Sequence, residues 1–136
     1  MNTRFAVLIG TAASIACTAL WHGAGGAGER LAATLDRQQR LMLDSYEMQA
    51  VDGRAQRDPV ARRIIMKGPA NDFQRAELVR YTEREPGVGE ARWNRPKSQL
   101  TYPLPALIEG IFLALATFVA GLLVAYAAFV PRREDA

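Results

Sequence analysis

Charge-free apolar runs lie near both ends of the chain, and a charged stretch fills the middle. Residues 5–21 and 111–130 contain no Asp, Glu, Lys or Arg, whereas 14 of the 17 Lys and Arg lie between them. A soluble globule spreads its charges along the chain, because each helix or strand keeps a wetted face. The segregation instead predicts an all-α membrane protein, with two transmembrane helices joined by a charged, mainly helical extramembrane loop. The run 111–130 holds twenty residues, roughly 30 Å as a helix, which matches the hydrocarbon core of a bilayer. Its polar interruptions are Thr117 and Tyr126. Pro131 stops it, Arg132 and Arg133 suit the headgroups, and Tyr102, Tyr126 and Phe129 suit the two water interfaces. With its lead-in, the second span is expected over residues 102–130, with residues 131–136 as a tail.

The first run is shorter. After a tail of residues 1–4, a first span is expected over residues 5–24, with Trp21 at the interface. A positive start, a short apolar run and the small residues Gly25-Gly26-Ala27 also describe a cleavable signal, so anchor and signal both stand as readings. Two spans put both chain ends on one side. Arg4, Arg132 and Arg133 against the helix ends favour cytoplasmic termini, while the many basic residues of the loop favour the opposite. A loop this long crosses largely regardless of its charge, so we expect it outside the cytoplasm.

Residues 25–101 form the extramembrane region, and it reads as helical. From Glu29 to Val51 there is no Pro or Gly, and Leu31, Leu35, Met42 and Tyr46 fall near one face, with Gln38 and Gln49 as weaker members. Asp36 and Arg40 are spaced as an i,i+4 ion pair. Asp58-Pro59 predicts an N-cap and first helical proline for a short helix through Met66. Asn71 with Gln74 predicts a capping box for a helix over residues 72–84, packed through Phe73, Ala76, Val79 and Arg80. From Pro86 to Pro105 the prolines and glycines predict an extended approach without helix or interior strand, with Trp93 against the loop helices or at the membrane surface. Few Leu, Ile or Phe occur here, so only a small core is expected, on the order of a few kcal/mol.

The single histidine and single cysteine restrict the chemistry. His22 is a candidate axial ligand for a haem or pigment, set against an ordinary interfacial residue beside Trp21. Cys17, after Ser14-Ile15-Ala16, is a candidate lipid-attachment site, set against a residue buried in its helix. Glu109 sits one turn into the second span, where a carboxylate marks either a partner contact or proton path, or an interfacial group facing headgroups. No spacing suits a metal, a nucleophile with its base, or a phosphate-binding loop, so neither an enzyme nor a resident cofactor is expected. A formal charge of +3, interspersed with acids, does not predict nucleic-acid binding.

Small residues form the strongest pattern. Gly110, Ala114, Thr117, Gly121, Ala125 and Ala128 recur at helical spacing, and Ala6, Gly10, Ala13 and Cys17 form a shorter counterpart. Such stripes let another helix approach closely. The partner is the other span, a second copy or a different protein.

Tyr102-Pro-Leu-Pro105, then Glu109-Gly110 and an apolar helix with Gly121, follow a short first span and a Gly-to-Arg-Leu start of a charged helix. This layout resembles a proteobacterial family of two-span membrane proteins with no known activity. The resemblance implies a bacterial inner-membrane location, hence a periplasmic loop and cytoplasmic termini. The leading expectation is a non-enzymatic accessory or assembly subunit of a larger membrane complex, contacting lipid and other subunits or itself. The alternatives are an envelope-spanning lysis protein lipidated at Cys17, and a pigment or haem subunit ligated by His22.

Overall fold

The computed structural model describes residues 3–94 and 103–129; Tyr102, Arg132 and Arg133 lie outside them. In chain order come α1 (Thr3–His22), α2 (Ala27–Ser45), β1 (Asp52–Arg57), β2 (Val60–Lys67), α3 (Asp72–Thr82), β3 (Glu90–Trp93) and α4 (Ala106–Phe129). Helices dominate, as expected, but the all-α expectation fails because the middle region contains a three-stranded sheet of order β1-β2-β3.

α1 and α4 are both long and apolar enough to cross a membrane, and their apolar windows are not buried within the chain. A core helix of a soluble protein would cover such a surface; here Leu8, Leu20, Leu113, Leu123 and Val124 all stand exposed. The two helices pack antiparallel, since Gly10 lies under the Phe118 ring and Gly110 beside Thr18.

Between α1 and α2 the helix breaks at a glycine elbow. Gly26 has φ +70°, a left-handed conformation that L side chains rarely adopt. At Gly25 a Cβ would stand 2.6 Å from the Trp21 carbonyl oxygen. The expected hinge is therefore a sharp corner made by residues that lack a Cβ.

α2 lays Gly28, Ala32, Leu35, Gln39, Met42 and Leu43 onto the sheet. Of the expected stripe, Leu35 and Met42 are buried, Leu31 is half-buried, and Gln38 is half-buried, whereas Tyr46 and Gln49 are exposed. Small residues take the remaining places because the strands come close: a Cβ on Gly53 would stand 2.6 Å from Gln39 Cγ.

The predicted helix from Asp58 to Met66 is a hairpin instead. Asp58 and Pro59 form the turn between β1 and β2, which pair antiparallel from Asp52↔Lys67 to Arg57↔Val60. Val60, Ile64 and Ile65 are β-branched and suit a strand. The predicted strandless approach is also corrected, because β3 pairs parallel to β2 from Arg63↔Glu90 to Met66↔Trp93. α3 makes the crossover between them. Its capping box forms as expected, with Asn71 Oδ1 accepting from the Gln74 N–H at 2.8 Å and Gln74 Oε1 from the Asn71 N–H at 3.0 Å. Its packed face differs: Leu78 and Thr82 are buried, Val79 is half-buried, and Phe73 is 75% exposed.

Leu35, Leu43, Val51, Ile64, Met66, Leu78 and Ala91 make the centre of one core, with Trp93 packed against it. Trp93 thus takes the first of its two expected places, and Arg75 lies 5.4 Å over its ring.

Carboxylates close both sheet edges. Asp36 Oδ1 accepts the Ala55 N–H of β1 at 2.7 Å, and Glu83 Oε1 accepts the Ala91 N–H of β3 at 3.2 Å. Edge N–H groups so engaged are unavailable to another strand. Asp36 also pairs with Arg57 at 2.8 Å, so the expected Asp36–Arg40 pair gives way to Arg40–Asp44. The hydrogen bond to Asp36, and then that to Glu29, raises the Arg57 pKa, so its positive charge is fixed around neutral pH.

Candidate functional site

Three places carry the groups from which a function has to be built: the helix pair, the joint between helices and sheet, and the charged sheet face opposite α2.

In the helix pair, α1 presents Gly10, Thr11, Ser14 and Thr18 to α4, all half-buried. Polar side chains are tolerated here because each hydroxyl bonds back to its own helix: Thr11 to the Val7 carbonyl at 2.9 Å, Ser14 to Gly10 at 2.9 Å, Thr18 to Ser14 at 2.8 Å. α4 answers with Gly110, Ile111, Ala114, Leu115 and Phe118. Of the small-residue positions singled out in the sequence, Gly10, Gly110 and Ala114 lie in this seam. Ala13, Thr117, Gly121 and Ala125 are exposed, as are Ala6, Cys17 and Ala128. A Cβ on Gly121 would meet nothing within 4 Å. The α4 stripe therefore divides into a part used within the chain and a part that remains uncovered. Sequence spacing missed the α1 face because the hydroxyl residues, not the alanines, turn inward.

The joint fixes the sheet to α4. Glu109, in the first turn of α4, accepts two bonds from Arg62 of β2, Nε to Oε2 at 2.8 Å and a terminal nitrogen to Oε1 at 3.3 Å. Bidentate pairs of this kind fix orientation as well as distance. Just before α4, Pro105 bridges Ala61 and Pro103 is buried beside Gly89. Glu109 thus has its counter-charge inside the chain, across the joint. A lone carboxylate at the mouth of an apolar helix was the signal that a cation had to be near; nothing local pointed to Arg62.

At the elbow, His22 lies over α2, where a Cβ on Gly28 would stand 2.7 Å from Nε2. The imidazole edge is thereby packed against the backbone of α2. Arg30 lies 5.4 Å over the Trp21 ring. Cys17 is exposed on α1, not buried within the chain. Among the described residues, no group of three or more His, Cys, Asp and Glu comes together.

The sheet face opposite α2 is charged: Arg54 and Arg92 are exposed there, while Gln56 and Arg63 on the same side are buried. Arg54, Ile65 and Arg92 form one cross-strand row, flanked by Asp52↔Lys67 and by Arg63↔Glu90. A concavity of about 510 Å³ opens beside this row, lined by Asp52, Arg54, Arg57, Asp58, Ile65 and Lys67 among others. Arg63 is fully buried, with Nε on Glu90 at 2.6 Å and a terminal nitrogen on Gln56 at 2.9 Å. Nothing in the sequence marks Arg63 as a buried arginine. Compared with known protein families, characterised proteins and solved structures, the chain matches none.

Proposed function

We propose that this chain is a non-enzymatic accessory or assembly subunit of a bacterial inner-membrane complex. α1 and α4 cross the bilayer as an antiparallel pair and hold the small αβ region on the periplasmic side, with both ends of the chain cytoplasmic. Further subunits, or a second copy, pack against the helix faces that the pair leaves uncovered.

One observation carries this reading. Side chains along both apolar helices stay exposed although the helices already pack on each other. The uncovered remainder includes Thr117, Gly121 and Ala125, small residues on one face that favour close approach by another helix. The joint through Arg62 and Glu109 supports it as well, because it makes the sheet region a fixed attachment of α4 rather than a tethered one.

Gly121→Leu is a clean probe, since the added side chain meets no other part of the chain. After extraction in mild detergent, the protein is expected to come out with other polypeptides or as an oligomer. Gly121→Leu should lower that recovery at least about fivefold while the α1–α4 pair stays intact. A lone monomer, unaffected by the substitution, contradicts the proposal.

A further inference from the structure

We infer that the outward face of α2 rests on anionic phospholipid headgroups of the leaflet at the Trp21 end of α1, held there by Arg30 and Arg37. Position is the first argument. Trp21 closes the apolar run of α1 and is 66% exposed, which suits an indole at the membrane–water interface. The Arg30 guanidinium lies 5.4 Å over its ring, at the depth of the headgroups. In an unbroken helix, nine residues would carry Arg30 about 13 Å further along and to the opposite side. The elbow at Gly25 and Gly26 brings it back. Charge is the second argument. The three acids of α2 are all engaged elsewhere: Glu29 and Asp36 with Arg57, Asp44 with Arg40. Among the described residues between α1 and α4, Arg30, Arg37 and Arg84 alone among the Lys and Arg form no ion pair. Residues 95–102 contain no Asp or Glu.

Arg30 and Arg37 stand two turns apart and within about 20° of each other around the helix, both exposed. Ala33 and Thr34 between them are small. The Thr34 hydroxyl turns back to the Arg30 carbonyl at 2.8 Å, so nothing bulky keeps headgroups away. Leu41 follows one turn on, also 66% exposed. The opposite side of α2 is committed to the sheet through Ala32, Leu35 and Gln39. Guanidinium forks match phosphates bidentately, and their apolar stems lie readily along the acyl boundary. A basic face with a leucine beside its arginines suits a helix lying in the interface. The Trp21 contact decides the anion, because it sets this face at the bilayer, where phospholipid phosphate is at hand. An acidic protein segment would meet it only by displacing those headgroups.

This inference rests on α1 crossing the bilayer, but its test compares chains already incorporated in nanodiscs, so the two readings fail separately. The full chain with Cys17→Ser and Ala33→Cys carries a fluorophore at position 33. It is placed in phosphatidylcholine nanodiscs that contain some lipid spin-labelled at the headgroup, with or without phosphatidylglycerol. Phosphatidylglycerol should raise the quenching at least about twofold, and high salt should reverse the gain. Arg30→Gln with Arg37→Gln should abolish the gain, while Arg30→Lys with Arg37→Lys should keep most of it. Arg84→Gln should leave it intact. A label at Phe73→Cys, beyond the end of β2 remote from the α4 joint, should gain nothing. Equal quenching with and without phosphatidylglycerol, a gain indifferent to the double Gln variant, or the same gain at position 73 overturns the inference.

Discussion

Glu90→Leu is expected to cost the sheet region about 3 kcal/mol, enough to populate its unfolded form. Arg63 beneath it is fully buried, and Glu90 is the carboxylate that pairs with it across the β2–β3 ladder. With Leu at 90, the carboxylate that holds the Arg63 Nε is lost, while the bond to Gln56 is kept. Removing one partner of a buried pair costs more than the pair contributes net, because the remaining ion keeps its desolvation penalty without that counter-charge. The small core of Leu35, Leu43, Ile64 and Met66 has little reserve against such a loss. Amide hydrogen exchange on the full chain in nanodiscs reads the outcome: protection across β1, β2 and β3 should fall together while α1 and α4 keep theirs. Replacing both residues, Arg63→Met with Glu90→Leu, should recover part of the protection, because no charge is then left buried. Unchanged protection in Glu90→Leu would show that the pair does not hold the strands.

The second large effect belongs to the helix pair. Gly10→Ile is expected to separate α1 from α4, because a Cβ there would stand 2.5 Å from Phe118 Cζ and 2.7 Å from Cε2. Contacts that short force the ring aside or the helices apart, and a branched side chain leaves the ring nowhere to turn. Gly10 against Phe118 and Gly110 against Thr18 set the register, so Ser14 faces Ala114. Cysteines at 14 and 114, with Cys17→Ser, should cross-link readily under mild oxidation. Adding Gly10→Ile should slow cross-linking at least about tenfold, and adding Phe118→Ala as well should restore much of it. Equal rates with and without Gly10→Ile would mean that the seam lies on other faces.

What the sequence disclosed depends on how local each cause is. The apolar helices were legible because a span of about twenty residues must be charge-free over its whole length. The capping box was legible because Asn71 and Gln74 satisfy each other's backbone within one turn. The strands were hidden. β1 reads Asp-Gly-Arg-Ala-Gln-Arg, with alanine as its one apolar side chain, since Gly53 and Ala55 must fit closely beneath α2. In β2 the doublets Arg62-Arg63 and Ile64-Ile65 erase the period-two pattern, because the face opposite α2 keeps Ile65 and the joint takes Arg62. Four-residue β3 is too short for any pattern and is fixed by its ladder with β2. Asp36 shows the same limit. Its spacing suggests Arg40, but the fold turns it to the β1 edge and to Arg57. Of the candidate site, the glycines at 10 and 110 and the carboxylate at 109 were visible in advance. The partners that give them meaning, Phe118, Thr18 and Arg62, come from the tertiary fold.

Everything proposed for this protein requires that α1 and α4 lie in a bilayer. Alkaline carbonate extraction of membranes containing the full chain tests that most directly. The account predicts that the protein stays in the membrane pellet and is released only by detergent. Quantitative release into the carbonate supernatant, with the protein remaining dissolved without detergent, would contradict it.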